Sequence, residues 1–286
     1  MMTTGRRIGR NVAEGIAMKN GCAAVRDTDM YYVSFGNGSK NLVVLPGLSD
    51  GLSTVKGKGV FLKAPYKKHL DEYTVTVFSR KNDMPEGYTI RQMAEDQALA
   101  MKEIGINRAA VLGVSQGGMI AQYLALEHPE LVSRLCLGVT AARPNDVVRT
   151  RVETWIEYIS KGDMKSMLND MLIRMYSDAF IRKYGKLFPA LLKFVTLTDS
   201  DRFCRAARAI LTCNSYDRLE QIRCPAFVIG AMRDQVVSPG ASIELAERLA
   251  CPLYMYEEYG HAAYEEAPDF NKRVLRFFEG KPGFDV

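Results

Sequence analysis

The chain has 286 residues, 47% of them apolar and 25% charged, which is enough to bury one α/β core with an insertion or two smaller domains. Its formal net charge of +5 is small and is not gathered into a block, so a nucleic-acid partner is not expected. No apolar run approaches the ~20 residues of a membrane span, the opening residues lack the apolar stretch of a secretory signal, and six scattered cysteines (Cys22, Cys136, Cys204, Cys213, Cys224, Cys251) have neither C-x-x-C pairing nor zinc-ligand spacing, so the expectation is a cytoplasmic chain with free thiols, no metal and no cofactor.

Residues 1–22 read as a leader outside the core. From there to residue 142, short β-rich runs alternate with longer helical ones, the pattern of a mostly parallel sheet with helices on both faces. Residues 30–35 (M-Y-Y-V-S-F) and 41–45 (N-L-V-V-L) flank Asn37-Gly38, which predicts two strands joined by a tight turn. Further strands are predicted at 74–78, 109–114 and 133–137. Between the third and fourth of these runs, Thr89 with Gln92 forms a capping box for an amphipathic helix through Ile90, Met93, Ala94, Gln97, Ala98, Met101 and Ile104. Another helix, over 119–127, is ended by His128-Pro129.

Over residues 143–220 the strand signal vanishes. Trp155, Tyr158, Met164, Met167, Met171, Met175, Phe180, Phe188 and Phe194 recur at helical spacing, which predicts an all-helical insertion. Met164, Met167, Leu168, Met171, Leu172 and Met175 form an apolar stripe that suits either helix packing or an adaptable pocket lining. Most of the chain's basic excess lies in this segment, which fits acidic substrates or simply a solvated helical surface. The core resumes over 221–286, with strands at 226–229 and 253–256. Ser238 and Pro239 open the helix between them, and a last helix covers 269–279.

The strongest local signal is Gly113-Val114-Ser115-Gln116-Gly117-Gly118, a G-x-S-x-G between a predicted strand and a predicted helix. A serine on so sharp a turn has a strained backbone, and glycines two residues before and after it leave room for the neighbouring strand and helix. The following helix offers N–H groups and a positive dipole end to an oxyanion. A serine hydroxyl needs a base, and the chain has three histidines. His69 sits among lysines and His128 at a helix end, whereas His261 follows a predicted strand in Glu258-Tyr259-Gly260-His261, on a loop able to reach across the sheet edge. The acid belongs after the strand at 226–229, where Asp234 would fix the imidazole tautomer; Asp146 is the alternative. Asp234 could also merely cap the next helix. The loop Leu45-Pro46-Gly47-Leu48 lies opposite the elbow, so the backbone N–H groups of Leu48 and Gln116 are the candidate oxyanion hole.

With these motifs on the page, the chain resembles the α/β-hydrolase superfamily, in particular its small single-domain serine hydrolases and esterases with a helical cap between the sixth and seventh core strands. The likeness runs from about residue 25 to residue 278. It rests on the elbow G-V-S-Q-G-G, the acid loop Gly230-Ala231-Met232-Arg233-Asp234, the terminal Gly260-His261 and the run Glu127-His128-Pro129-Glu130-Leu131-Val132. The resemblance implies an α/β-hydrolase fold with core 23–142 and 221–286, a cap at 143–220, and no cofactor. Many members carry His-Gly where this chain has Pro46-Gly47, and that histidine braces the oxyanion loop. A serine at the elbow separates the chain from the similar haloalkane dehalogenases and epoxide hydrolases, which place an aspartate there. Two function classes follow. One is a hydrolase of a small-molecule ester, thioester or related acyl substrate, the same triad also serving C–C bond hydrolysis or perhydrolysis. The other is a ligand-binding or sensing protein on the same fold, against which stands the full set of Ser115, Asp234 and His261. A homodimer is compatible with either.

Overall fold

The computed structural model describes residues 18–187 and 199–281. Its organising element is an eight-stranded sheet in the order β1-β2-β4-β3-β5-β6-β7-β8. The strands are β1 Met18–Val25, β2 Thr28–Phe35, β3 Lys40–Leu45, β4 Tyr73–Lys81, β5 Ala109–Val114, β6 Val132–Gly138, β7 Ala226–Ala231 and β8 Leu253–Tyr256. The pairs β1/β2 and β2/β4 are antiparallel, and every pair from β4/β3 onward is parallel. Central strands read as continuous apolar runs because both faces are covered. Alternate residues of β3 and β5 divide accordingly, with Val43, Leu45 and Val111 in one core cluster and Leu42, Val44, Leu112 and Val114 in the other.

The first cluster is closed by α2 Ile90–Glu103, α3 Gln116–Glu127 and a helix at Pro239–Leu249, the second by α1 Gly59–Lys63 and a final helix at Phe270–Phe278. The Thr89 capping box forms as expected, with the Gln92 N–H donating to the Thr89 hydroxyl and the Thr89 N–H to the Gln92 side chain. Between β6 and β7 lie α4 Asp146–Ser160, α5 Met164–Met175, α6 Asp178–Tyr184 and α7 Ser200–Leu211, so the described part of the insertion is helical. Phe188 and Phe194 lie outside the described residues. The methionine stripe is a packing seam: Met167, Leu168 and Met171 are buried in the first core cluster, with Met164 and Met175 against it. The helices Pro239–Leu249, Ala263–Glu266 and Phe270–Phe278 are α8, α9 and α10. No helix of the described residues is long and apolar enough to cross a membrane.

Three expectations fail. Residues 18–22 are not leader but the first part of β1, which pairs along its whole length with β2. The sequence M-K-N-G-C-A-A-V hides the strand because it is an edge with few β-branched residues, and a side chain at Gly21 would overlap the ring of Tyr32. Second, β2 and β3 are not a hairpin, since β4 lies between them. Gly36 has φ +103° and its neighbour Asn37 donates its N–H to the Leu70 carbonyl, while Gly38 lies against the Glu72 backbone; the dipeptide therefore crosses over the chain entering β4. Third, Ser238 precedes α8 with φ 73° and caps nothing, its hydroxyl instead receiving a bond from Asn145 Nδ2.

A buried carboxylate ties the antiparallel edge to the rest. Asp96 on α2 accepts from Arg26 Nε at 2.7 Å, Lys81 Nζ at 3.0 Å and Tyr88 Oη at 2.6 Å. Burial opposes its ionisation, but the three donors together outweigh burial and hold the carboxyl below its ordinary range. A depressed value means stability that is present above the usual carboxylate range and lost as pH falls through the lowered one. Asp96→Ala, which strands the buried Lys81 cation, is expected to cost about 3 kcal/mol in urea unfolding at neutral pH. The gap from wild type should narrow in acid; a gap that is constant with pH would contradict the ionic account.

Candidate active site

The elbow follows from close approach. Ser115 stands between β5 and α3 with φ 53° and ψ −123°, and its carbonyl accepts the N–H groups of Gly118 and Met119. A side chain at Gly113 would meet the Gly117 carbonyl at 2.5 Å, one at Gly117 the Leu45 carbonyl at 2.0 Å, and one at Gly118 the Thr140 side chain at 2.6 Å. The three glycines therefore let α3 start against the ends of β3 and β6. Thr140 Oγ1 donates to the Ser115 carbonyl at 2.6 Å, and the Ser115 N–H donates to Gly138 at 2.9 Å, which hold the strained residue from both sides.

Three side chains distant in sequence meet at the carboxyl ends of the strands. Ser115 Oγ is 3.0 Å from His261 Nε2, and His261 Nδ1 is 2.8 Å from Asp234 Oδ2. Asp234 and His261 are buried, and the second carboxylate oxygen accepts the N–H groups of Val236 at 2.8 Å and Val237 at 2.9 Å. Asp234 thus staples its own loop with Oδ1 and does not cap α8, while Oδ2 meets the imidazole. Asp146 starts α4, and the imidazole's partner is Asp234. His128 lies beside Glu95 and Glu130, and His69 ends a 3-10 turn at Ala64–His69; neither joins the group.

The insertion reaches the histidine loop directly. Ala262 N–H donates to the Met175 carbonyl at 2.7 Å, a Cβ on Gly260 would meet that carbonyl at 2.7 Å, and Ser177 bonds to Glu266 through both its N–H and its hydroxyl. On the other side, Leu48 opens a 3-10 turn at Leu48–Gly51, and Gln116 is the first residue of α3, whose leading N–H groups lack intrahelical partners. Gly47 packs against Ser115, since a Cβ there would lie 3.2 Å from Ser115 Cβ and 3.7 Å from its Oγ. A cavity of about 1090 Å³ borders this loop, its walls including Val44, Pro46, Gly47, Val114, Tyr264 and Phe270, with Lys67, Lys68 and Lys272 among its polar residues.

Residues that the sequence reading passed over brace this corner. Arg80, at the end of β4, sends Nη2 to the carbonyl of Pro46 at 2.6 Å and to Gln116 Oε1 at 3.0 Å, while Gln116 Nε2 donates to the Ala206 carbonyl of α7 at 2.5 Å. Asp50 accepts the Arg80 N–H at 2.8 Å and Arg202 Nη2 at 3.0 Å. The available signal was a charged pair, Arg80-Lys81, closing an otherwise uncharged strand.

Residues 68–268 match the family model described as alpha/beta hydrolase fold. A protein named as a carbamate hydrolase, RutD, of Caulobacter sp. (strain K31) is 25% identical over 244 residues, 82% of this chain and 90% of its own length. Among solved structures, an alpha/beta hydrolase enzyme, MGS-M2, from a Medee basin deep-sea metagenome library superposes with TM-score 0.82 at 21% identity, covering 93% of this chain and 99% of that one. The enol-lactonase of Burkholderia xenovorans LB400 superposes with TM-score 0.76 at 24% identity, covering 91% and 100%. These likenesses extend over the insertion as well as the sheet.

Gly117→Ala is expected to lose at least about 3 kcal/mol, because a backbone carbonyl has no rotamer by which to yield. Thermal unfolding measures it, and a variant as stable as wild type would refute the close-approach explanation.

Proposed function

Since this chain belongs to the alpha/beta hydrolase fold family, we propose that it is a serine hydrolase of a carboxylic ester or related acyl compound, working through an acyl-enzyme on Ser115. The reading is carried by the buried hydrogen-bonded line from Asp234 through His261 to Ser115. With Nδ1–H donating to Asp234, Nε2 is the basic nitrogen facing the hydroxyl, so it takes the serine proton as Oγ attacks the carbonyl carbon. Asp234 holds that tautomer and stabilises the imidazolium. The N–H groups of Leu48 and Gln116 receive the charge that develops on the carbonyl oxygen. His261 then returns the proton to the leaving group, and the same nitrogen deprotonates a water that attacks the ester on Ser115 and releases the acid.

The helical insertion at 143–220 is read as the cap over this centre, and the apolar cavity beside Gly47 and Val114 as the place for the acyl group. Free thiols at all six cysteines suit a reducing, cytoplasmic setting. The names of the similar proteins suggest carbamates and lactones beside simple esters in a first substrate panel.

A fluorophosphonate is expected to add to Ser115, detected by peptide mass, and to fail to do so in His261→Ala. On the ester, lactone and carbamate panel, Ser115→Ala should lose at least about 1000-fold in kcat and Asp234→Asn about 10,000-fold, by comparison with other Ser-His-Asp enzymes. Equal turnover by wild type and Ser115→Ala would end the serine mechanism. An unreactive serine in a folded protein would favour the ligand-binding alternative.

A further inference from the structure

Arg80 is buried in a place where the reaction described above gives it no task. Its guanidinium has no carboxylate within ion-pair distance among the described residues; it is surrounded instead by neutral oxygens, those of Pro46 at 2.6 Å, Gln116 at 3.0 Å and Gly47 at 3.4 Å. Asp50, the neighbouring carboxylate, meets the Arg80 backbone N–H and spends its charge on Arg202. Burial pushes the Arg80 guanidinium down to about 10, Asp50 opposing the fall and Arg202 adding to it, so the group is charged at neutral pH. A buried cation with no direct ion pair is costly, and such costs concentrate at functional sites.

We propose that Arg80 is the positioning residue of the oxyanion hole, a deepening that rests on the serine-hydrolase reading of the same site. In a trans peptide the carbonyl and the N–H point in opposite directions. Drawing the Gly47 carbonyl toward Arg80 therefore turns the N–H of Leu48 away from Arg80, and the shorter bond to the Pro46 carbonyl fixes the preceding peptide plane, so the loop is held with one donor of the hole facing away from the cation. Through Gln116 Oε1 the same guanidinium anchors the residue that carries the other donor. The positive charge, offset only in part by Asp50, adds a field favourable to a negative oxygen. The anchor is also linked to the insertion, because Gln116 Nε2 bonds to the Ala206 carbonyl, while Arg202 of the same helix donates to Asp50 and to the carbonyls of Arg80, Lys81 and Asn82. A side chain at Gly51 would stand 3.2 Å from Phe203 Cα, so α7 rests directly on the 3-10 turn that Leu48 opens. The hole is thus set by one cation shared between the loop, the elbow and the insertion.

The test uses the full chain with Arg80→Met, Arg80→Lys and Gln116→Leu. On an ester that wild type hydrolyses, Arg80→Met is expected to lower kcat by about ten- to a hundred-fold, with KM within about two-fold, as for partial loss of an oxyanion donor. A trifluoromethyl ketone, which forms a tetrahedral oxyanion on the serine, should weaken by a similar factor, deuterium exchange at residues 46–51 should accelerate, and Arg80→Lys should recover part of each loss. A folded Arg80→Met with wild-type kcat and wild-type exchange at 46–51, or with a rise in KM alone, overturns the proposal. Should Arg80→Met fail to fold, Arg80→Lys and Gln116→Leu decide by the same readouts, and wild-type kcat in both overturns it. If wild type itself shows no Ser115-dependent turnover, the hydrolase reading fails, and exchange at 46–51 in the variants still decides whether Arg80 holds the loop.

Discussion

The space between the Leu45 carbonyl and the backbone of Gly117 admits a hydrogen and nothing larger. This contact seats the start of α3 on the end of β3, and through it the loop after β3 and the serine before α3 become neighbours. The positive φ of Ser115 is the other half of the same constraint, because a helix that begins so close to a parallel strand must be entered by a sharp reversal. Thr140 and Gly138 at the end of β6 hold the reversal in place. The position of the hydroxyl is therefore a property of three strand ends, not of a flexible loop.

Around that fixed point the insertion supplies two supports on different helices. The C-terminal end of α5 grips the loop that carries His261, through Met175 to Ala262 and Ser177 to Glu266. Helix α7 rests on the loop that carries Leu48, through Arg202 and Ala206. The insertion is thereby joined by hydrogen bonds to both loops flanking Ser115.

Much of this was legible in the residues. The alternation of apolar strands and amphipathic helices gave the class of fold, since period is written in composition at each position. The glycines at 113, 117 and 118 marked the elbow because their reason is local sterics. Elimination among three histidines, together with chain order, led to His261 and Asp234, which the structure brings within hydrogen-bond distance of Ser115 in one line. What escaped was non-local. Edge strand β1 has no apolar alternation to betray it, and the placement of β4 between β2 and β3 depends on partners some forty residues away, whereas Asn37-Gly38 is a short-range signal for a different topology. Arg80, Asp50 and Arg202 went unread because, beyond the charged pair Arg80-Lys81, nothing in their neighbours in sequence says that they will be buried together.

The crossing at Asn37-Gly38 bears on the order in which the molecule can assemble. A ribbon of β1 and β2 needs no residue beyond Phe35, but β3 has no neighbour until residues 73–81 and 109–114 arrive on its two sides. Non-local pairings of this kind are slow to form and leave strand edges exposed in the meantime. His261 follows β8, so the contact between its imidazole and the Ser115 hydroxyl is among the last that the order of elements along the chain allows to form.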